Sequence, residues 1–249
     1  MKNTKIMDMP HKQNPEEANY IRCMFASISG RYDFMNRLIT FGMDITWRRF
    51  MLSMTNVPKG GRLLDVGTGT GDIAFEALRA DPAARITGLD FTSEMMKTGR
   101  KRKFSDQIDW CLGNALRLPF PDATFDAVTS GFLIRNVLDV RSAFREQVRV
   151  VKPAGRVVCL DTSPSPRNIS WPFAMFHLKV LIPLLGFMIT GKKGAYEYLS
   201  ASTFNFIEPD ALSEIMKGEG LEEVGFRRFM FGNIAVHWGT RPVPDFTIR

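Results

Sequence analysis

Cysteine is scarce in this chain, and the three present do not pair by pattern: Cys23, Cys111 and Cys159 are far apart, odd in number and without CxxC spacing. That excludes a disulfide framework and fits reduced thiols in a cytosolic setting. No His/Cys/Asp grouping has metal-ligand spacing, so no metal is expected. The amino terminus, with Lys2, Lys5, Asp8 and Pro10, has no apolar core of signal-peptide type, which argues against secretion. Repeats are absent, as is any Pro-, Gly- or Ser-rich linker that would separate domains.

Acidic residues are in deficit, 26 against 33 basic ones, and the pI is near 9.5. The excess would suit nucleic acid or an anionic membrane surface and does not choose between them. Its densest cluster, Lys97, Arg100, Lys101, Arg102 and Lys103, has no interleaved aromatic before Phe104. A stacking platform for bases is therefore unsupported, and the cluster reads as a solvated helix face.

What the chain does have is Leu63-Leu64-Asp65-Val66-Gly67-Thr68-Gly69-Thr70-Gly71-Asp72, an apolar strand running into a glycine-dense turn and a helix. Glycines at alternate positions bend the backbone and bring bare amides against a ligand, at the positive end of a helix. The spacing is G-x-G-x-G rather than the G-x-G-x-x-G of dinucleotide sites, and Asp65 and Asp72 flank it. Such acids oppose a pyrophosphate and welcome a sulfonium amino acid. Ile86-Thr87-Gly88-Leu89-Asp90 is a second strand ending in an acid, at the interval where such folds grip ribose hydroxyls. The expected cofactor is S-adenosylmethionine.

Strand-like and helix-like runs alternate from Arg62 to Leu160, the pattern of a parallel sheet covered by helices. Expected strands are Arg62–Val66, Arg85–Leu89, Ile108–Leu112, Phe125–Ser130 and Arg156–Leu160. Expected helices are Gly71–Ala80, Ser93–Phe104 and Val140–Val151, the last closed by Lys152-Pro153-Ala154-Gly155. Pro209–Gly218 reads as a helix, and Phe226–Phe231 with Asn233–Gly239 as a hairpin about Gly232. One α/β domain is expected over 1–249, with a tail at 1–15, a helical lid at 16–55, a cofactor-binding core at 62–160 and an insertion at 168–200. Within that insertion, Trp171–Thr190 is apolar nearly all round but holds His177, Lys179 and Pro183. A lid over a lipophilic substrate or an interfacial helix fits better than a core helix or a membrane span.

Tyr32-Asp33-Phe34-Met35-Asn36 with Trp47, then Arg135-Asn136-Val137, then Arg149 to Arg156 resemble the ubiquinone/menaquinone biosynthesis C-methyltransferases, over about Tyr20 to Arg241. The resemblance implies a Rossmann-like class I fold of seven strands, one antiparallel, and carbon methylation of a prenylated quinol ring, most plausibly demethylmenaquinol. It places cofactor contacts on Thr70, Asp90, Asn114 and Ala115, with Ser130 at the methionine end; the loop adds Asp65, Gly67, Thr68 and Gly69, and Phe91 is set to stack on adenine. Tyr32, Met35, Asn36 and Tyr196 are expected at the ring. Thr40 and Asp44 stand where the family usually has Ser and His, and Asp161 where it has Glu; the segment before Arg135 is one residue longer.

Ring carbons become nucleophilic when the adjacent hydroxyl loses its proton, so the site needs a base or a phenolate stabiliser. Arginines keep their proton in proteins, which casts Arg135 as stabiliser with Asn136 as hydrogen-bond partner. Asp33 and His177 are rival proton acceptors. His237 is expected in the core. Expected partners are a lipophilic quinol, the inner face of the cell membrane and a second copy of the chain in a homodimer, without nucleic acid. An Asn/Asp-Pro-Pro-aromatic turn, the mark of amino-directed nucleic-acid enzymes, is replaced by Ser130-Gly131-Phe132. Two alternatives stay open: O-methylation of another lipophilic acceptor, and a non-catalytic scaffold in a quinone-synthesis complex.

Overall fold

Short apolar runs too brief for helices become strands buried on both faces, and the amphipathic runs between them cover the sheet. The computed structural model describes residues 15–167, 169, 171–182, 184–185, 202–203 and 206–244. Its strands are β1 (Arg62–Val66), β2 (Arg85–Asp90), β3 (Ile108–Leu112), β4 (Phe125–Gly131), β5 (Val151–Thr162), β6 (Glu222–Phe229) and β7 (Ile234–Thr240). They form one sheet in the order β3-β2-β1-β4-β5-β7-β6. The first five pair in parallel, and β7 runs antiparallel to β5 and β6. This is the expected class I arrangement. Its order reverses between β1 and β4, where the carboxyl ends of the strands open a crevice for ligands.

Leu64, Val66, Val128, Phe144, Val150 and Val157 are fully buried at the centre of the core. The helices are α1 (Pro15–Ile28), α2 (Tyr32–Ile39), α3 (Met43–Ser53), α4 (Asp72–Ala80), α5 (Ser93–Gly99), α6 (Val140–Val150), α7 (Trp171–Phe176) and α8 (Pro209–Gly218). Asp139 caps α6, accepting from the Ser142 amide at 3.1 Å and the Ser142 hydroxyl at 2.6 Å.

Three boundaries differ from expectation by more than two residues. The helix from Ser93 stops at Gly99 rather than Phe104. A Cβ at Gly99 would lie 2.5 Å from the Trp110 ring and 2.7 Å from the Thr70 carbonyl, so close contact with β3 and the glycine loop turns the chain there. As a result Arg102 is not a solvated face residue: its guanidinium sits 4.2 Å over the Phe75 ring and bonds Asp72 at 2.8 Å. Lys152-Pro153-Ala154-Gly155 does not simply close α6 but lies inside β5, whose pairing with β4 is irregular between Phe125 and Ala127. In the hairpin, β6 begins at Glu222 and a helical turn at Met230–Gly232 makes the corner.

Residues 16–55, expected to form a lid, are mostly helical. Met35 and Ile39 of α2 pack against Leu178 and Ile182. Helix α7 runs into a π-helical turn at His177–Leu181. Its inner face, Ala174 and Leu178, is buried, whereas Phe173, Phe176, Val180 and Leu184 are exposed. Among the described residues no helix is long and apolar enough to cross a membrane. Tyr196 and Tyr198 lie outside the described residues.

Candidate active site

Two cavities meet at the carboxyl ends of β1, β4 and β5. The first, of about 640 Å³, is walled by the glycine loop, Asp90-Phe91-Thr92, Met95, Asn136 and Arg48. Gly67, Gly69 and Gly71 all take positive φ, 72°, 58° and 88°. A Cβ at Gly67 would come within 2.9 Å of the Leu133 side chain and one at Gly71 within 2.8 Å of the Trp110 ring. Glycine is required there both by conformation and by space.

Asp90 closes this cradle. One carboxylate oxygen accepts from the Gly69 amide at 2.8 Å and the other from the Thr92 amide at 2.7 Å. Burial pushes its carboxyl above the ordinary range, against the opposing pull of those amides. Each oxygen keeps a lone pair for a hydroxyl donor. Phe91, 39% exposed, offers a ring face beside it. At the far end, Asp72 keeps its carboxyl below the usual value: burial opposes ionisation most, but Arg48, Arg37 and Arg102 together outweigh it. A ribose-matched carboxylate, an exposed ring and a glycine loop that admits close approach of a ligand fit S-adenosylmethionine.

Several residues expected to touch the cofactor do something else. Asp65 lies fully buried beneath the loop, accepting from the Thr68 hydroxyl at 2.7 Å and the Thr129 hydroxyl at 3.1 Å. It fixes the loop instead of lining the cavity. Ser130 is buried and turned to Gln147 at 3.4 Å, and Gly131, Phe132 and Leu133 line the wall in its place. Asn114 is exposed and holds a turn by accepting from the Leu116 amide at 2.9 Å, and Ala115 belongs to the core. Neither lines either cavity. Thr68, Thr70, Asp90 and Phe91 are brought together as expected.

The second cavity, of about 880 Å³, is mostly apolar. Met24 and Ile28 of α1, Met35 and Ile39 of α2, Trp47, Leu178 and Ile182 wall it. Phe25, Tyr32 and Phe132 face both cavities. The helical turn at Ile134–Asn136 straddles them: Arg135 lines the apolar cavity and Asn136 the polar one. Asn136 Nδ2 donates to the Phe132 carbonyl at 2.9 Å.

Apolar as it is, the second cavity is lined by residues with buried polar atoms that lack hydrogen-bond partners among the described residues: Asn36 Nδ2, Arg135 Nε, Thr162 Oγ1, His177 Nδ1 and Asn233 Nδ2. Unpaired buried polar atoms are costly, so their convergence marks a place for a polar group. Arg135 is held by Asp161, Nη1 to Oδ1 at 2.5 Å, which orients the guanidinium. Tyr32, Met35 and Asn36 line this cavity, as expected for ring contacts. Asp44, in place of a histidine, is fully buried there and pairs with Arg37 and Arg48, while Thr40 donates to it at 3.0 Å.

Of the rival bases, Asp33 lines neither cavity. It accepts from the Thr70 hydroxyl at 2.6 Å and pairs with Arg102 at 3.5 Å, tying α2 to the glycine loop. His177 does line the apolar cavity. His237 is buried on Phe226 and bonded to the Pro209 carbonyl at 3.1 Å, a core residue as expected. Arg48, Thr162 and Asn233 had no distinguishing motif in the sequence. Only the folding of α3, β5 and the β6–β7 corner around one crevice brings them in.

Comparisons agree with this geometry. The chain is 46% identical over 218 residues to "Ubiquinone/menaquinone biosynthesis C-methyltransferase UbiE" of Desulfotalea psychrophila, covering 88% of this chain and 89% of the relative. It is 39% identical to "Demethylmenaquinone methyltransferase" of Thermus thermophilus, covering 88% of this chain and all of the relative. Among solved structures, the [4+2]-cyclase SpnF superposes with TM-score 0.66 at 17% identity, covering 91% of this chain and 96% of that one. Phosphoethanolamine N-methyltransferase 2 of Haemonchus contortus, solved with S-adenosyl-L-methionine, gives 0.59 at 16% identity, covering 80% and 53%. At such identities the likeness is one of fold, and a cyclase on this fold shows that fold alone does not set the reaction. Residues 12–241 match the ubiE/COQ5 methyltransferase family, and the chain belongs to that family.

Proposed function

We propose that this methyltransferase transfers a methyl group from S-adenosylmethionine to a ring carbon of a prenylated quinol. Several relatives carry the name demethylmenaquinone methyltransferase, and we take the reduced form, demethylmenaquinol, as the acceptor. One observation carries the reading. A polar cradle and an apolar cavity, the latter lined by residues with unpaired buried polar atoms, share the walls Phe25, Tyr32 and Phe132, so a donor and an oily acceptor meet across them.

When bound, the cofactor supplies an electrophilic methyl carbon on a positively charged sulfur. The chain holds the two reactants close and aligned, which is where most of the rate of such a displacement originates. Asp90 takes the donor's ribose hydroxyls, the glycine loop lets the donor pack closely against the backbone, and Phe91 covers its base. Arg135 Nε, unpaired and buried, donates to the ring oxygen as negative charge develops there. Asn233 Nδ2 and Thr162 Oγ1 orient the ring, and the apolar walls from α1, α2 and the π-helical turn exclude water and take the ring-proximal end of the tail.

Exposed Phe41, Phe173, Phe176, Val180 and Leu184 surround this lid, and the chain carries net charge +7. Apolar side chains on a basic protein suit peripheral contact with an anionic membrane, from which a prenyl tail would enter. The test of the function is a lipid-extract assay with labelled methyl donor. Label on a ring carbon of a quinone supports it; label in an ether, or none in lipid, rejects it.

A further inference from the structure

Methyl transfer to a quinol ring carbon requires that the neighbouring hydroxyl give up its proton inside a dry cavity. Asp33 is committed to Thr70 and Arg102 and lines neither cavity. Asp44 is committed to Arg37, Arg48 and Thr40. Burial raises the Tyr32 phenol, which keeps its proton at neutral pH. Arg135 is a donor only. His177 remains.

His177 is 6% exposed and lines the apolar cavity. Its Nε2 lies 2.7 Å from the Ile39 carbonyl, which can only accept, so the ring proton of the neutral imidazole sits on Nε2. Nδ1 then carries a lone pair, and it is buried without a partner among the described residues. The backbone supports this placement: α7 switches to a π-helical turn at His177, a feature that recurs at functional sites. The Phe41 ring, on a residue with φ 53°, stands 5.9 Å away.

We propose that His177 Nδ1 is the proton acceptor of the reaction, and that it distinguishes the reduced quinol from the oxidised quinone. The proposal rests on the reading of the acceptor as a quinol. The quinol O–H bond breaks and a bond from Nδ1 to hydrogen forms, while Arg135 steadies the phenolate. The ring carbon's electron pair forms the new C–CH3 bond as the S–CH3 bond breaks, leaving a neutral thioether. The imidazolium returns its proton to the oxygen, and Nδ1, free again, takes the hydrogen of the ring carbon as a proton and passes it to solvent when the products leave. One proton is released per methyl transferred. A quinone has carbonyls where the quinol has hydroxyls, and two acceptors cannot pair across the Nδ1 lone pair.

The test uses His177→Gln, whose amide nitrogen can replace Nε2 at the Ile39 carbonyl but places no lone pair at Nδ1. The turnover number is expected to fall by roughly 10²–10⁴-fold, with KM changed less than about threefold. The wild-type kcat should fall toward acid pH with a limb that the variant lacks. Cofactor affinity by calorimetry should match wild type, which checks the fold. Independently, ¹⁵N resonances of labelled wild-type protein should place the proton on Nε2, and 1,4-dihydroxynaphthalene, not 1,4-naphthoquinone, should shift Nδ1. A proton found on Nδ1, an Nδ1 resonance unmoved by the dihydroxy compound, or a variant with wild-type kcat and acid limb overturns the proposal. If the wild type methylates no quinol, the function reading falls, and the Nδ1 resonance still decides for or against His177.

Discussion

Arg135 and Asp161 are joined twice, by Nη1 to Oδ1 at 2.5 Å and by the Arg135 amide to Oδ2 at 3.1 Å. Both side chains are almost wholly buried, and the second bond fixes the backbone turn as well as the guanidinium. Removing one member of such a pair leaves a buried charge uncompensated, at roughly 3–5 kcal/mol. Asp161→Ala is expected to lower the melting temperature and kcat together. Arg135→Lys should retain the charge, lose the fork and lower kcat by at least tenfold, with cofactor affinity unchanged by calorimetry.

Asp90 both presents lone pairs to the ribose and staples the Gly69 and Thr92 amides. Asp90→Ala should therefore weaken S-adenosylmethionine binding by about tenfold or more, the equivalent of at least one charge-assisted hydrogen bond. Unchanged calorimetric affinity would remove Asp90 from the ribose.

Asp33, Arg102 and Thr70 bind the lid to the glycine loop, and the Asp33 carboxylate faces neither cavity. Asp33→Asn is expected to raise KM for both substrates by a few-fold and leave the pH dependence of kcat unaltered. A lost acid limb in that variant would make Asp33 the base and exclude His177.

Two buried groups tilt stability in opposite directions with pH. Burial raises the Asp65 carboxyl to about 7, from the ordinary value near 4. In that window the native state holds a proton the unfolded chain has lost, so stability falls as pH rises. Burial lowers the His237 imidazole to about 4. Below its unfolded value near 6.5 the unfolded chain takes up a proton first, so stability falls as pH falls. The slopes offset one another from about pH 4 to 6.5. Asp65→Asn should expose the histidine's loss on acidification, and His237→Gln the carboxyl's loss on raising pH. Melting temperatures between pH 4 and 7.5 read both.

The exposed ring of lid aromatics gives a last prediction. Phe173→Ser with Phe176→Ser is expected to reduce sedimentation with phosphatidylglycerol vesicles several-fold, with melting temperature within a few degrees of wild type. Equal sedimentation would detach the lid from the membrane.

Much of this architecture can be read along the chain because it is encoded locally. The β1 run and the three alternating glycines specify strand, turn and helix within a dozen residues, and β1, β3 and α8 fall on their expected bounds. Helix α5 could not be bounded this way, since its end is set by Trp110 and Thr70, which are distant in sequence. The same holds at the site. Thr68, Thr70 and Asp90 follow from a motif, whereas Asp65 and Ser130 carry the right chemistry but face inward, because adjacent strand residues alternate sides. Asn233 and Thr162 look ordinary until β7 lies beside β5, pairing Thr162 with Ile234.

Phe25, Tyr32 and Phe132 belong to two rooms at once. Neither room can then be remodelled alone through them: trimming any of the three to admit a bulkier ring also loosens the seat of the methyl donor. Thr40, Asp44 and Asn233 face only the apolar side. Asp44 is tied through Arg48 to the donor's wall, so changes of ring preference, in evolution or by engineering, have their freedom at Thr40 and Asn233.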